Sequence, residues 1–270
     1  MSDSRLIDEL GKDESSKAWA YEQTQAQSQS IENEIKESQP LVSEKEPIAA
    51  LAAAYNEQTS ADYLHKAKDL AKTYSHIRRV RGDGNCFYRA LLFAEIELIM
   101  HDERERERFS TLVKGWRKRL FDLGFPEFTT DDFCDTFEEF VADIVSGKMD
   151  SARVLEVMND DGLSNYYVTF LRLVTSGYLQ ENADLFQGFI DGNRTVVEFC
   201  KNEVDPMWKE CDHVCITALI QGLGVPIRIE YMDRTQAPTG GWHHDFSVND
   251  QSPKLFFLYR PGHYDVLYPQ

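Results

Sequence analysis

The run Arg81-Gly82-Asp83-Gly84-Asn85-Cys86-Phe87-Tyr88-Arg89-Ala90 sets one thiol between a glycine-rich loop and an apolar stretch with helical spacing. Cys86 therefore falls at the start of a helix. The unpaired N–H groups there carry partial positive charge, which favours a thiolate over a thiol. A thiolate is the form that attacks carbonyl carbon. Gly84 and Asn85 supply a loop that can turn successive backbone N–H groups toward one point, as stabilising an oxyanion requires. The plain structural alternative is a tight turn followed by a small buried residue.

A second piece lies near the end of the chain, at Gly262-His263-Tyr264-Asp265. Side chains two apart on a strand share a face, so Asp265 points the same way as His263. A carboxylate beside an imidazole fixes its tautomer and stabilises the imidazolium. Alone, the pair reads as an ordinary His/Asp couple in an edge strand. Taken together, a cysteine on a helix start and a late His/Asp strand pair are the parts of a papain-like dyad or triad.

These two motifs resemble the signature of the otubains, a branch of the ovarian-tumour (OTU) cysteine peptidases. GDGNCFYRA and YRPGHYDVLY carry the resemblance, and LRLVTSGYLQ, FIDGNRTVVEFC and EVDPMW between them support it. It spans about residues 40 to 270, and the arm before it resembles the subtype with a long N-terminal extension. The resemblance implies an α/β (α+β) papain-like OTU fold, with a small sheet packed between helices. It implies hydrolysis of isopeptide bonds in ubiquitin chains, those through lysine forty-eight preferred, with no metal and no other cofactor. Ubiquitin, ubiquitin chains and ubiquitin-conjugating enzymes are the implied partners. Carried over, Cys86 is the nucleophile, His263 the general base and acid, and Asp265 the residue that orients His263. Asp83 also matches a site position. A carboxylate would repel an oxyanion, so Asp83 is expected to brace the loop by accepting backbone N–H bonds. Phe186, Phe189 and the neighbourhood of His213 lie where the resemblance places the distal ubiquitin.

Two other readings stay open. The chain could act mainly as a non-catalytic inhibitor of ubiquitin-conjugating enzymes, or as a general papain-like peptidase. Cys211, His213 and Cys215 invite a zinc reading, but their alternate spacing with no fourth ligand nearby suits a structural site poorly. Cys134 and Cys200 read as core, and His243-His244 as solvated loop.

Composition narrows the setting. The 270 residues are 42% hydrophobic, enough for one sizeable core. With 29 basic against 46 acidic side chains, the net charge of −17 argues against nucleic acid. No run approaches the roughly 20 apolar residues of a spanning helix, so no membrane is expected. The first residues show neither the basic nor the apolar region of a signal peptide. Five cysteines in such a chain suit a reducing cytoplasm or nucleus.

The elements that must position the motifs follow from spacing. Residues 1–45 hold five basic and ten acidic side chains and few apolar ones, chiefly Ala18, Trp19, Tyr21, Ile31 and Ile35. They are expected to form a mobile arm that becomes helical on binding, with residues 46–270 as the peptidase domain. Helices are predicted over 60–74, capped by Ser60, and over 130–146, opened by Thr129 with Asp132 and stopped by Gly147. Further helices are predicted over 163–181, 194–203 and 213–222. Strands are predicted at Val225–Met232, Leu255–Tyr259 and His263–Tyr268. A loop of about twenty residues follows the first, and an Arg260-Pro261-Gly262-His263 turn of type II geometry joins the last two.

Overall fold

In the computed structural model, which describes residues 34, 36, 38–235 and 241–270, the apolar run after Cys86 is a helix buried on nearly every side. Trp19, Tyr21, Ile31 and Ile35 of the leading segment lie outside the described residues. Leu41–Gln270 form one compact unit. Along it run β1 (Val42–Pro47), α1 (Ala49–Ala53), α2 (Ala61–Leu70), β2 (Tyr74–Val80) and α3 (Cys86–His101). Then come α4 (Glu103–Asp122), α5 (Glu127–Val145), α6 (Ser151–Met158), α7 (Asp161–Glu181), α8 (Ala183–Phe186) and α9 (Val196–Phe199). The chain closes with α10 (His213–Leu223), β3 (Ile227–Tyr231), β4 (Trp242–Phe246), β5 (Leu255–Arg260) and β6 (His263–Pro269).

The strands form one sheet in the order β1-β2-β6-β5-β3-β4. Among the described residues, only the β3–β5 pairing is parallel. Strand alternation sends Val80, Ile229, Phe257 and Val266 to one face, where α3, α4, α5, α7 and α10 build the main core. Ile77, Met232, Leu258 and Leu267 face the other way, onto Leu51 of α1 and Ala67 of α2. The sheet is thus packed between helices. β6 lies inside it, between β2 and β5, so its side chains are held by neighbours on both flanks.

Several sequence expectations are corrected. Leu41 and Val42 are buried and β1 pairs with β2, so residues 41–45 belong to the sheet and not to the leading arm. The helix predicted from 130 starts at Glu127 after Pro126, whose fixed φ suits a helix entry. Thr129 lies inside it and bonds back to the Pro126 carbonyl in place of capping. The Ser60 hydroxyl is engaged with Asn56, and α2 ends at Leu70 because β2 begins four residues later. The expected twenty-residue loop contains an edge strand, β4.

Beyond its pairing with β2, β1 meets a side chain that imitates a strand. The Asn159 amide oxygen accepts the Val42 N–H at 3.0 Å, and its nitrogen donates to the Val42 carbonyl at 2.9 Å. Asn159→Ala would leave both backbone groups of a buried residue unsatisfied. The expected cost is about 1–3 kcal/mol, read from urea unfolding of the whole chain. A loss within error of zero would show that solvent replaces the amide freely.

Candidate active site

Cys86 is the first residue of α3, and Asn85 precedes it at the N-cap position without capping the helix by its side chain. The loop before it is fixed from three sides. Gly84 has φ +76°, and a Cβ there would stand 2.2 Å from the Trp208 carbonyl oxygen, so only glycine fits. Asp83 Oδ1 accepts the Asn85 N–H at 2.9 Å. Its two oxygens also accept Arg89 Nη1 at 3.0 and 2.9 Å. Asp83 thus braces the loop, and a fully buried guanidinium offsets its charge. One expectation changes here. The Asn85 N–H is committed to Asp83, so among the described residues the N–H groups of Gly84 and Cys86 are the ones left to face an oxyanion. Asn85 acts through its side chain instead, where Oδ1 accepts Arg172 Nη2 at 2.7 Å and the Trp208 N–H at 3.2 Å.

The other half of the site is the β5–β6 hairpin. Gly262 has φ +73°, as the third residue of a type II turn requires, and Arg260 pairs with His263 across it. His263 Nε2 lies 2.9 Å from Asp265 Oδ1. Asp265 is fully buried and also accepts the Val80 N–H at 3.0 Å and Arg260 Nη2 at 2.6 Å. Burial alone would raise its carboxyl, but the hydrogen bond and charge of His263, then Arg260 and the Val80 N–H, hold it below the usual carboxylate range. With Nε2 turned to Asp265, Nδ1 is the nitrogen free for chemistry. It faces the nucleophile loop, where a Cβ on Gly82 would lie 3.2 Å from it.

The two halves meet at Cys86. The backbone N–H groups of Tyr264, next to His263, and of Phe87 lie near its sulfur. These pull the thiol down. Burial is the larger effect, and with the nearby Asp83 and Asp265 charges it pushes Cys86 up to about 12. The resting site therefore holds a thiol, not a thiolate.

A third segment, residues 205–212, flanks both halves. Trp208 lies on Gly84, and Glu210 Oε1 would be 3.4 Å from a Cβ on Gly262. Arg172 of α7 ties this segment to the loop, donating to the carbonyls of Val204, Lys209 and Gly84 as well as to Asn85. Sequence reasoning did not single out Arg172, Arg89 or Arg260. Arg260 could have been found, since it stands at the far end of the same turn as His263.

Of the remaining candidates, Phe189 is exposed, whereas Phe186 is buried and packs edge-on against Tyr178. His213 is exposed, with its ring 5.3 Å from His244 of the edge strand and 5.0 Å from Phe246. His243 and His244 lie exposed on β4 rather than in a loop. Cys134, Cys200, Cys211 and Cys215 are buried free thiols.

Comparison with known proteins agrees in sequence and in structure. Residues 34–269 match the family described as Peptidase C65 Otubain. A Caenorhabditis elegans protein named "Ubiquitin thioesterase otubain-like" is 47% identical over 244 residues, covering 90% of this chain and 86% of its own. The Homo sapiens "Ubiquitin thioesterase OTUB1" is 44% identical over 261 residues, 96% of this chain and 95% of its own. Among solved structures, the chain resembles one in "The structure of h/ceOTUB1-ubiquitin aldehyde-UBC13~Ub", with TM-score 0.89 and 46% identity. That match covers 93% of this chain and 99% of the other. A complex with UBCH5B~Ub in place of UBC13~Ub gives TM-score 0.89 at 45% identity, with the same coverage.

The buried thiol makes a pH-dependent prediction. Without substrate, the rate at which iodoacetamide alkylates Cys86 should climb about tenfold per pH unit from about pH 7 to about pH 10. Peptide mapping after a timed quench would follow it. A plateau below about pH 8 would mean a preformed thiolate and a different balance of burial and N–H bonds.

Proposed function

Because this chain belongs to the otubain family of C65 peptidases, we propose that it is a deubiquitinating enzyme in which Cys86, His263 and Asp265 hydrolyse isopeptide bonds of ubiquitin chains. The observation that carries the reading is the meeting of two distant segments. A cysteine at a helix start lies beside the backbone N–H of Tyr264, next to a histidine whose Nε2 is held by a buried, ionised Asp265. Relatives in complex with ubiquitin aldehyde and conjugating enzymes support ubiquitin as substrate and conjugating enzymes as partners.

The reaction is acyl transfer. As the ubiquitin tail enters, Cys86 Sγ attacks the carbonyl carbon of its terminal glycine, and the thiol proton passes to His263 Nδ1. Asp265 holds the imidazolium that forms, with Arg260 and the Val80 N–H keeping the carboxylate ionised. The N–H groups of Gly84 and Cys86 stabilise the oxyanion. Breaking the C–N bond releases the lysine amine, which takes the proton from Nδ1 and leaves a thioester on Cys86. Water, deprotonated by His263, attacks the thioester, frees the ubiquitin carboxylate and returns the proton to sulfur. Asp83 takes no part in proton transfer, because both its oxygens are engaged by Arg89.

Cys86→Ala should reduce cleavage of ubiquitin dimers by about 10³-fold or more, and His263→Ala should match it, because the two groups act as one unit. Asp265→Asn should retain partial activity if the amide still orients the ring. Cys86→Ala at near-parental rates would sink the assignment. A double mutant that loses the product of the two single losses would argue against a shared mechanism.

We also propose that residues 1–40 contribute to binding a ubiquitin-conjugating enzyme and the ubiquitin beside it. The segment is polar overall but carries Trp19, Tyr21, Ile31 and Ile35 for an apolar groove. Deleting residues 1–40 should leave hydrolysis of a small ubiquitin C-terminal reporter unchanged. The same deletion should weaken dimer cleavage and inhibition of the conjugating enzyme. Equal loss in all three assays would place the segment in the catalytic fold itself.

A further inference from the structure

Arg172 occupies a core position of α7 where an apolar side chain would pack without the penalty of burying a cation. Its hydrogen bonds run to the loop before Cys86 and to the stretch 204–209. Nη1 donates to the Val204 carbonyl at 2.8 Å. Nη2 serves three acceptors, Asn85 Oδ1 at 2.7 Å, the Lys209 carbonyl at 2.7 Å and the Gly84 carbonyl at 3.3 Å. Nε is buried with no partner among the described residues. The guanidinium is thus oriented by what it holds on those two segments.

These contacts fix the peptide between Gly84 and Asn85 at both ends. Its N–H is held by Asp83 Oδ1 at 2.9 Å, and its carbonyl by Arg172. The N–H groups of Gly84 and Cys86 stand on either side of that peptide, so its rotation sets the angle between them. Trp208 closes the loop from a third direction. Its N–H donates to Asn85 Oδ1 at 3.2 Å, and its carbonyl oxygen would lie 2.2 Å from a Cβ on Gly84. Trp208 has φ +69°, a left-handed conformation unfavourable for a bulky side chain. Its indole is exposed, so packing of the side chain does not impose that conformation. The bonds on either side of its carbonyl do, from its own N–H to Asn85 and from Arg172 to the Lys209 carbonyl.

We propose that Arg172 is a positioning residue for acyl transfer at Cys86: it holds the Gly84–Asn85 peptide and, through Lys209, the Trp208 backbone, so that the Gly84 and Cys86 N–H groups converge on the oxyanion. The proposal rests on the reading of Cys86 as nucleophile. Arg172 is buried behind the loop and touches neither substrate nor reacting atoms. A lysine there keeps the charge but lacks the planar fork that reaches Val204 with one nitrogen and Lys209 with the other. The charges that act on the Cys86 thiol are chiefly those of Asp83 and Asp265. Loss of Arg172 should therefore leave thiol ionisation alone and show in steps that build an oxyanion.

The test compares reactions at Cys86 that do and do not form an oxyanion, in the full chain. Arg172→Lys and Arg172→Gln should lower kcat for a ubiquitin C-terminal reporter by about 10²-fold, the scale of losing one oxyanion donor, with KM within about twofold. Ubiquitin aldehyde, whose adduct with the thiol sets an oxygen at the same point, should bind more weakly by a similar factor. Iodoacetamide alkylates sulfur by displacing iodide, with no oxyanion, so its rate at Cys86 and the pH dependence of that rate should match the parent. A loss that falls on KM, or that appears equally in the iodoacetamide rate, overturns positioning and leaves Arg172 a support of the fold. Trp208→Pro, at an exposed position, decides the matter if the Arg172 variants do not fold. Proline has no N–H for Asn85 and cannot adopt a positive φ, so the same kcat loss is expected, and adding Arg172→Lys should cost little more. A kcat for Trp208→Pro within about threefold of the parent, or a double variant that loses the product of the two single losses, overturns the shared clamp. Turnover of the reporter by Cys86→Ala at near-parental rates tells instead against Cys86 as nucleophile.

Discussion

One buried guanidinium, that of Arg172, holds the nucleophile loop where the chemistry needs it. Among the described residues no carboxylate is hydrogen-bonded to it, and it is solvated by oxygens from three stretches of chain, at Gly84–Asn85, Val204 and Lys209, with the Tyr88 ring 4.4 Å away. A cation surrounded by carbonyl dipoles behaves differently from a salt bridge. A single carboxylate would neutralise it and leave the other contacts weak, whereas several dipoles share the charge and each becomes a charge-assisted bond. Removing the cation would strand several buried acceptors at once, each costing about 1–3 kcal/mol. Most of that cost would fall on the loop, because α7 is a long core helix with support of its own.

Arg89 does the complementary work from the nucleophile helix. It binds Asp83 with one nitrogen and reaches Ser164 and Asn165 of α7 with the others. A carboxylate three residues before a nucleophile looks misplaced for anion stabilisation, and Arg89 removes the contradiction. Asp83 is spent on the Asn85 N–H and on Arg89, so its charge acts as a structural brace. The two arginines thus tie the start of α3 to α7 twice, Arg89 through Ser164 and Asn165 and Arg172 through the oxygens of Gly84 and Asn85.

The legible parts of the sequence were those in which one period dominates. Period two placed His263 and Asp265 on one face, and the stop at Gly147 was equally plain. The helix Glu103–Asp122 was hidden, because ERERERF at its start presents alternating charge. Its apolar stripe of Phe109, Val113, Trp116 and Leu120 emerges only across about three turns. β4 was hidden for another reason. Its Trp-His-His-Asp-Phe sequence is exposed at all but its last positions, so pairing with β3, and not hydrophobicity, makes it a strand. Within the site, Cys86, His263 and Asp265 were readable as candidates from type and spacing. The arginines and segment 205–212 were not, because no local pattern reports a contact between residues 84 and 208.

That unreadable contact sets the level of control in the molecule. Cys86 and His263 arrive from opposite ends of the chain on well-packed elements, a buried helix and an interior strand. Between them the balance is set against ionisation, since burial with Asp83 and Asp265 outweighs the pull of the Tyr264 and Phe87 N–H groups. A thiol so placed reacts with little that comes from solvent. In the proposed reaction it becomes a nucleophile when a substrate carbonyl occupies the oxyanion position, so that thiol deprotonation and attack are stabilised together by His263 and the Gly84 and Cys86 N–H groups. Specificity then resides in what can enter and align. The contact that decides alignment is that of Trp208, whose φ of +69° is unfavourable for a bulky side chain, with Gly84, where only glycine fits. A protein that kept its thiol ionised would need no such clamp, and its cysteine would be exposed to every electrophile in reach. Here the strain at Trp208 and the buried charge of Arg172 are the physical counterpart of a nucleophile kept latent.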